Sequence, residues 1–170
     1  GKTELAKILY KSYGYTKCVT TTTRNPRVNE INGIDYHFVS HQEFYQLEKS
    51  EAFLEVTRYQ DNFYGIQRKD VKINGVVIVD PNGANAIVNK IGKDAFIVYV
   101  HSSEPLREKR MMERKDELVL ITKRLENDCH IFNEEAFTVI NLILENEHND
   151  LNDLANHVHE SYQHYLSKIN

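Results

Sequence analysis

The sequence predicts an α/β fold: a parallel sheet wrapped by helices, with a small strand-rich insert on one side. Three observations predict it. The runs 76–79 and 95–100 are continuously apolar rather than alternating, as strands covered on both faces are. Segments with apolar residues at helical spacing separate them, which is the pattern of helices crossing over a parallel sheet. Residues about 36–65 carry denser strand and turn signals than the rest. With 170 residues, 41% of them hydrophobic, the chain is large enough for one domain with a sizeable core.

The elements follow in order. Residues 3–12 read as a helix striped by Leu5, Ile8 and Leu9, with Gly14 as its stop signal. Residues 18–22 are rich in β-formers. Ser40 and Glu43 form a capping box for a helix that buries Phe44 and Leu47. Residues 53–59 alternate as a strand and run to a turn at Asp61-Asn62. The apolar strand 76–79 ends at Asp80-Pro81-Asn82-Gly83, and a helix follows over 84–91. After the strand 95–100, Ser102 or Ser103 caps a helix with Pro105 in its first turn. Another helix spans about 120–127, residues 137–140 read as the last buried strand, and Leu151, Leu154, Val158, Tyr162 and Tyr165 stripe a final helix.

Composition excludes several functions. The net charge of −4 argues against general binding of nucleic acid or an anionic membrane. No stretch approaches the roughly 18 apolar residues of a membrane span, and the charged start does not read as a signal peptide. Cys18 and Cys129 lie far apart without a CxxC partner, which points to reduced thiols and a cytoplasmic protein. His157 and His159 are two apart and do not share a helix face, which argues against a zinc pair.

Gly1-Lys2-Thr3 opens the first helix and matches the last three positions of G-x-x-x-x-G-K-[ST]. In that loop backbone N–H groups cradle phosphates, the lysine reaches the β/γ-phosphates, and the hydroxyl holds Mg²⁺. An ordinary helix start with a solvated lysine has the same three residues. On the phosphate-loop reading, about ten or more residues, a strand and the first half of the loop, are expected upstream. A form beginning at Gly1 is then expected to be inactive.

Thr20 to Arg27 reads TTTTRNPR, and NGIDYHFVS begins at Asn32. Two arginines around Pro26 at a strand end suit a phosphate dianion, which accepts paired guanidinium bonds. Further on come Phe53-Leu54-Glu55 and Asn62-Phe63-Tyr64-Gly65. In order and spacing this resembles the guanylate kinase family over nearly the whole chain: TTR, x-P-R, G-x-D-Y-x-F-V-S, F-[LI]-E and N-Y-Y-G. The resemblance implies the P-loop kinase fold, with a core at 1–35, 66–101 and 126–170, an acceptor-binding insert at about 36–65 and a helical lid at about 102–125. It implies that Arg24, Arg27, Tyr36 and Tyr64 grip the acceptor phosphate and that Glu55 reads the guanine edge. Thr20 supplies a hydroxyl where serine is usual. Asp80 matches the acid of I-D-x-Q-G, here V-D-P-N-G. Arg110, Arg114 and Arg124 match the lid arginines, Asn141 the asparagine near the adenine, and Gly1, Lys2 and Thr3 the ATP-phosphate site.

The departures lie at the base. Ile66 replaces the hydroxyl residue after Y-Y-G, Ile78 replaces an acid two residues before Asp80, and Asn82 replaces glutamine. The segment after Arg114 is about one residue short and lacks its glycine. The implied activity is transfer of the ATP γ-phosphoryl group to GMP, with Mg²⁺ as cofactor and nucleotides as the partners. Two alternatives remain open: a kinase of the same fold for another phosphorylated acceptor, and a non-catalytic interaction module.

Overall fold

The computed structural model describes residues 1–113, 118–147 and 150–169, and of residues 120, 123, 124, 127 and 129–131 the backbone alone. The chain forms two units, Leu9–Ala95 and Gly1–Ile8 with Phe96–Asn170. Helix α1 (Lys2–Tyr13) is the predicted first helix; Leu5 and Leu9 are buried on its striped face. It stops at Gly14, whose φ of 72° lies in the left-handed region that glycine enters without steric cost.

In the unit Leu9–Ala95, β1 (Thr16–Lys17) pairs in parallel with β6 (Gly75–Val76). The Cys18 N–H extends the ladder by donating to the Val76 carbonyl at 3.0 Å. The strand expected over 76–79 is paired only at its start, because β1 offers a partner of two residues. A second sheet has the order β3 (His37–Phe38), β2 (Thr20–Thr22), β5 (Asn62–Gln67), β4 (Phe53–Tyr59). Its β2–β3 pair is parallel, and the β2–β5 and β4–β5 pairs are antiparallel. The hairpin turn falls at Gln60-Asp61, one residue before the expected position. Both residues have positive φ (49° and 62°), as a tight two-residue hairpin turn demands. Helix α2 (His41–Lys49) starts with the predicted capping box, and its Phe44 stacks on Phe53 (4.5 Å) and Phe63 (5.6 Å). Helix α3 (Pro81–Ile91) begins three residues earlier than expected. Pro81 sits in its first turn, where the missing N–H costs nothing, and Asp80 caps it by accepting the Gly83 N–H at 2.7 Å.

In the other unit, β7 (Val98–His101) pairs in parallel with β8 (Leu142–Glu145), from Val98↔Leu142 to His101↔Glu145. This corrects the expected last strand at 137–140. Residues Glu134–Ala136 form a 3-10 turn, and Phe137 packs its ring on Tyr99 at 5.2 Å instead of entering the ladder. The apolar run that pairs is the next one, Leu142 to Leu144. Helix α4 (Glu104–Glu113) has Pro105 in its first turn. The hydroxyl of the preceding Ser103 donates to Glu147 at 2.8 Å rather than capping the helix. Helices α5 (Leu118–Ile131) and α6 (Leu151–Ile169) follow; α6 buries Leu154, Ala155 and Val158 and sets Tyr162 and Tyr165 against Phe96. Among the described residues no helix is long and apolar enough to cross a membrane.

Candidate active site

Three of the residues expected at the acceptor site, Thr20, Glu55 and Tyr64, share one face of the four-stranded sheet. Thr20 on β2 and Glu55 on β4 each stand opposite Ile66 on β5, and the next row is Thr22, Tyr64 and Thr57. Residues directly opposite in a ladder share a face. A register shift between Phe53 and Glu55 is what brings Glu55 round to it. One extra residue on β4 turns the pleat, and Phe53 stays on the other face against Phe44. Gly65 is required here, because a Cβ would lie 2.9 Å from the Glu55 carbonyl oxygen and from the Phe53 ring.

Thr20, Glu55 and Ile66 are all buried, at 6%, 6% and 2% exposure. The Ile66 N–H donates to Glu55 Oε1 at 3.2 Å, and Oε2 has no partner among the described residues. Burial pushes the Glu55 carboxyl up to about 7; Asp80 adds to the rise and the Ile66 N–H opposes it. Asp80 is also pushed up by burial, against the N–H groups of Gly83 and Asn82 and the Thr57 hydroxyl. Sequence reasoning missed Thr57. Its signal was available in the alternation of β4, since it lies two residues beyond Glu55.

At the sheet edge, the Arg24 guanidinium lies 5.3 Å from the Tyr36 ring centre and 5.7 Å from that of Phe38. Tyr36 meets Tyr64 edge to face at 6.5 Å. Burial pushes the Tyr36 hydroxyl up and Arg24 opposes the shift, so it remains a neutral donor. Arg24 Nη2 lies 3.0 Å from each oxygen of Glu30, and Nη1 donates to the Asn25 carbonyl at 2.7 Å. Arg27 is exposed, and its backbone N–H donates to Glu30 Oε2 at 2.6 Å. Glu30 also escaped the sequence reading.

In the other unit, Arg110 donates to the Ser102 hydroxyl (3.3 Å) and to the backbone (3.3 Å) and side-chain (3.2 Å) oxygens of Asn146. Asn146 directly follows β8 and is 1% exposed, with its Nδ2 unpartnered among the described residues. Gly1 lies against it: a Cβ on Gly1 would collide with the Asn146 amide and lie 3.7 Å from Arg110. Lys2 Nζ sits 5.4 Å from the centre of the Phe132 ring, and Thr3 is exposed in the first turn of α1. Asn141 precedes the last strand instead of following it. Its Oδ1 accepts the Ile97 N–H at 2.7 Å, and it lines a shallow cavity of about 600 Å³ with Phe137, Ile140 and Leu142. Arg114 and the side chain of Arg124 lie outside the described residues.

The mixed α/β fold resembles that of the crystal structure of guanylate kinase from Anaplasma phagocytophilum, with a TM-score of 0.72 at 21% identity, covering 95% of this chain and 80% of that one. The guanylate kinase family model matches residues 1–165. Similar proteins include the guanylate kinase of Campylobacter jejuni (strain RM1221), 32% identical over 137 residues, 75% of this chain and 67% of that one. That of Buchnera aphidicola subsp. Schizaphis graminum (strain Sg) is 30% identical over 183 residues, 100% of this chain and 88% of that one. The chain belongs to the guanylate kinase family.

Proposed function

We propose that the protein transfers the γ-phosphoryl group of ATP to GMP, giving ADP and GDP. The observation that carries the acceptor is Glu55: a buried carboxylate with one oxygen unpartnered among the described residues, on the sheet face that also bears Tyr64. Guanine offers two adjacent N–H donors, and an ionised carboxylate is an acceptor-only pair of oxygens. Asp80 and the hydroxyl of Thr20 complete the base side. Arg24 and Arg27 supply charge and Tyr36 and Tyr64 neutral hydroxyls for the acceptor phosphate. That phosphate is a dianion and already nucleophilic, so the chain needs no general base.

On the donor side we assign Gly1, Lys2 and Thr3 to the ATP phosphates and Arg110, Arg114 and Arg124 to the charge that spreads over the transferring group. The α1 N-terminus offers backbone N–H groups for the same purpose. The Thr3 hydroxyl is a hard oxygen and fits Mg²⁺, which favours oxygen ligands and retains waters. When bound, the ion would neutralise charge on the β- and γ-phosphoryl oxygens. Asn146, rather than Asn141, is assigned to the nucleotide side, because it follows the last strand and its buried amide nitrogen has no partner among the described residues. The reduced Cys18 and the nucleotide substrates fit a cytoplasmic protein.

A second reading is favoured by one observation. Ile66 places an apolar side chain, 2% exposed, beside Glu55, which suits an acceptor base with fewer polar groups. Equilibrium binding of GMP against IMP separates the two. IMP keeps the ring N–H and lacks the exocyclic amino group, so GMP is expected to bind about 10- to 100-fold more tightly if Glu55 receives both donors. Equal affinities would favour the second reading.

A further inference from the structure

We propose that Glu30 is a positioning residue: it holds the Arg24 guanidinium in place for the acceptor phosphate and stays there when the phosphate binds. The inference rests on the acceptor role assigned to Arg24 above.

The geometry distinguishes a holder from a competitor. Both Glu30 oxygens take the same Arg24 nitrogen, Nη2, at 3.0 Å. The carboxylate therefore grips one end of the guanidinium. It leaves the Nε–H, which has no partner among the described residues, for a phosphate oxygen. Nη1 is fixed separately by the Asn25 carbonyl, and the cation lies against the Tyr36 and Phe38 rings. The plane of the fork is thus set from two ends and one face.

Glu30 is not free to swing away. Its Oε2 also accepts the Arg27 N–H at 2.6 Å, and its own N–H donates to the Arg27 carbonyl at 3.1 Å. Releasing the carboxylate would open the loop that carries both arginines. The pair is mostly shielded, with side chains 15% and 18% exposed, so solvent screens it less than a surface pair. An arginine without this support samples many rotamers, and ordering it on each binding event weakens the acceptor complex.

The test uses the full-length protein. Steady-state KM for GMP and kcat are measured at saturating ATP for wild type, Glu30→Ala, Glu30→Gln, Arg24→Ala and the double alanine variant, with thermal melts confirming that each is folded. Glu30→Ala is expected to raise the KM for GMP about tenfold or more while changing kcat little, since the lost order affects binding. Glu30→Gln, which keeps an acceptor oxygen, is expected to recover part of the loss. The double variant is expected to be no worse than Arg24→Ala, because Glu30 acts through Arg24. A KM that falls or stays unchanged in Glu30→Ala, or penalties that add in the double variant, would overturn the proposal. A readout independent of turnover is the ¹H–¹⁵N signal of the Arg24 side chain. Hindered guanidinium rotation is expected in wild type and fast averaging in Glu30→Ala; equal rotation in both contradicts the proposal. Absent GMP turnover with this Arg24 signature intact would instead count against the acceptor reading alone.

Discussion

Ile66 donates its backbone N–H to Glu55 Oε1 at 3.2 Å and places its own buried side chain directly opposite that carboxylate in the sheet. One residue thus satisfies half of the carboxylate and withholds water from its surroundings. The other half, Oε2, has no partner among the described residues. Burial without a full set of partners is what pushes Glu55 up to about 7.

This pairing has a cost in stability with a definite sign. Between its unfolded value near 4.5 and the folded value of about 7, the native protein binds more protons at Glu55 than the unfolded chain does. Stability therefore falls as pH rises through that window. Glu55→Gln is expected to remove the fall and to stabilise the protein by roughly 2–3 kcal/mol at pH 8, with little effect at pH 4.5. Denaturant unfolding of both proteins at the two pH values checks this. In the same wild-type protein, GMP affinity is expected to rise from pH 6 to pH 8, because the guanine N–H groups select the ionised carboxylate.

Ile66→Thr restores a hydroxyl beside the base. It is expected to sharpen the preference for GMP over other monophosphates by up to roughly tenfold, the worth of about 1 kcal/mol from one hydrogen bond. The comparison is kcat/KM across GMP, AMP, CMP and UMP. If Ile66 instead belongs to an apolar pocket for another acceptor, the substitution lowers activity on that acceptor and does little for GMP.

Lys2 and Arg24 are expected to separate by role. Lys2→Ala removes charge from the transferring phosphoryl group and should lower kcat about a hundredfold or more. Arg24→Ala removes a grip on the acceptor and should chiefly raise the KM for GMP, by about 10- to 100-fold. The reverse pattern in steady-state kinetics would mean that the donor and acceptor assignments are exchanged.

Asp80 has two tasks that substitution divides. Its Oδ1 caps α3 through the Gly83 N–H, and its charge faces Glu55. Asp80→Ala is expected to cost about 1 kcal/mol of stability, whereas Asp80→Asn keeps the cap and most of that stability. Thermal melts of the three proteins test the split.

The family was legible in the sequence because the motifs that carry it are local. Arg24, Tyr36, Glu55 and Tyr64 lie in such short motifs; Glu55 and Tyr64 fall within β4 and β5, Arg24 just after β2 and Tyr36 just before β3. The capping box at Ser40 and Glu43 and the glycine stop at Gly14 were legible for the same reason. Glu30 was not, because only the folded loop carries it back onto Arg24, and an isolated glutamate in a turn reads as a solvated charge. The start of α3 was misplaced, although Asp80-Pro81 is the cap and first position of a helix. The apolar run before it made that dipeptide look like the end of a strand and a turn. The last strand slipped because Phe137 to Ile140 and Leu142 to Leu144 are both apolar, and only pairing with β7 selects the second. That slip moved the strand-end asparagine from Asn141 to Asn146. The mixed pairing of the larger sheet was also hidden, since strand direction depends on partners remote in sequence.

The central claim, that the protein phosphorylates GMP, is tested most directly by coupled ADP release from the full-length protein supplied with MgATP and each of GMP, AMP, CMP and UMP. The expected result is turnover with GMP at a kcat/KM well above that for the other three. Efficient turnover of another acceptor with none for GMP would contradict the account while leaving the fold intact.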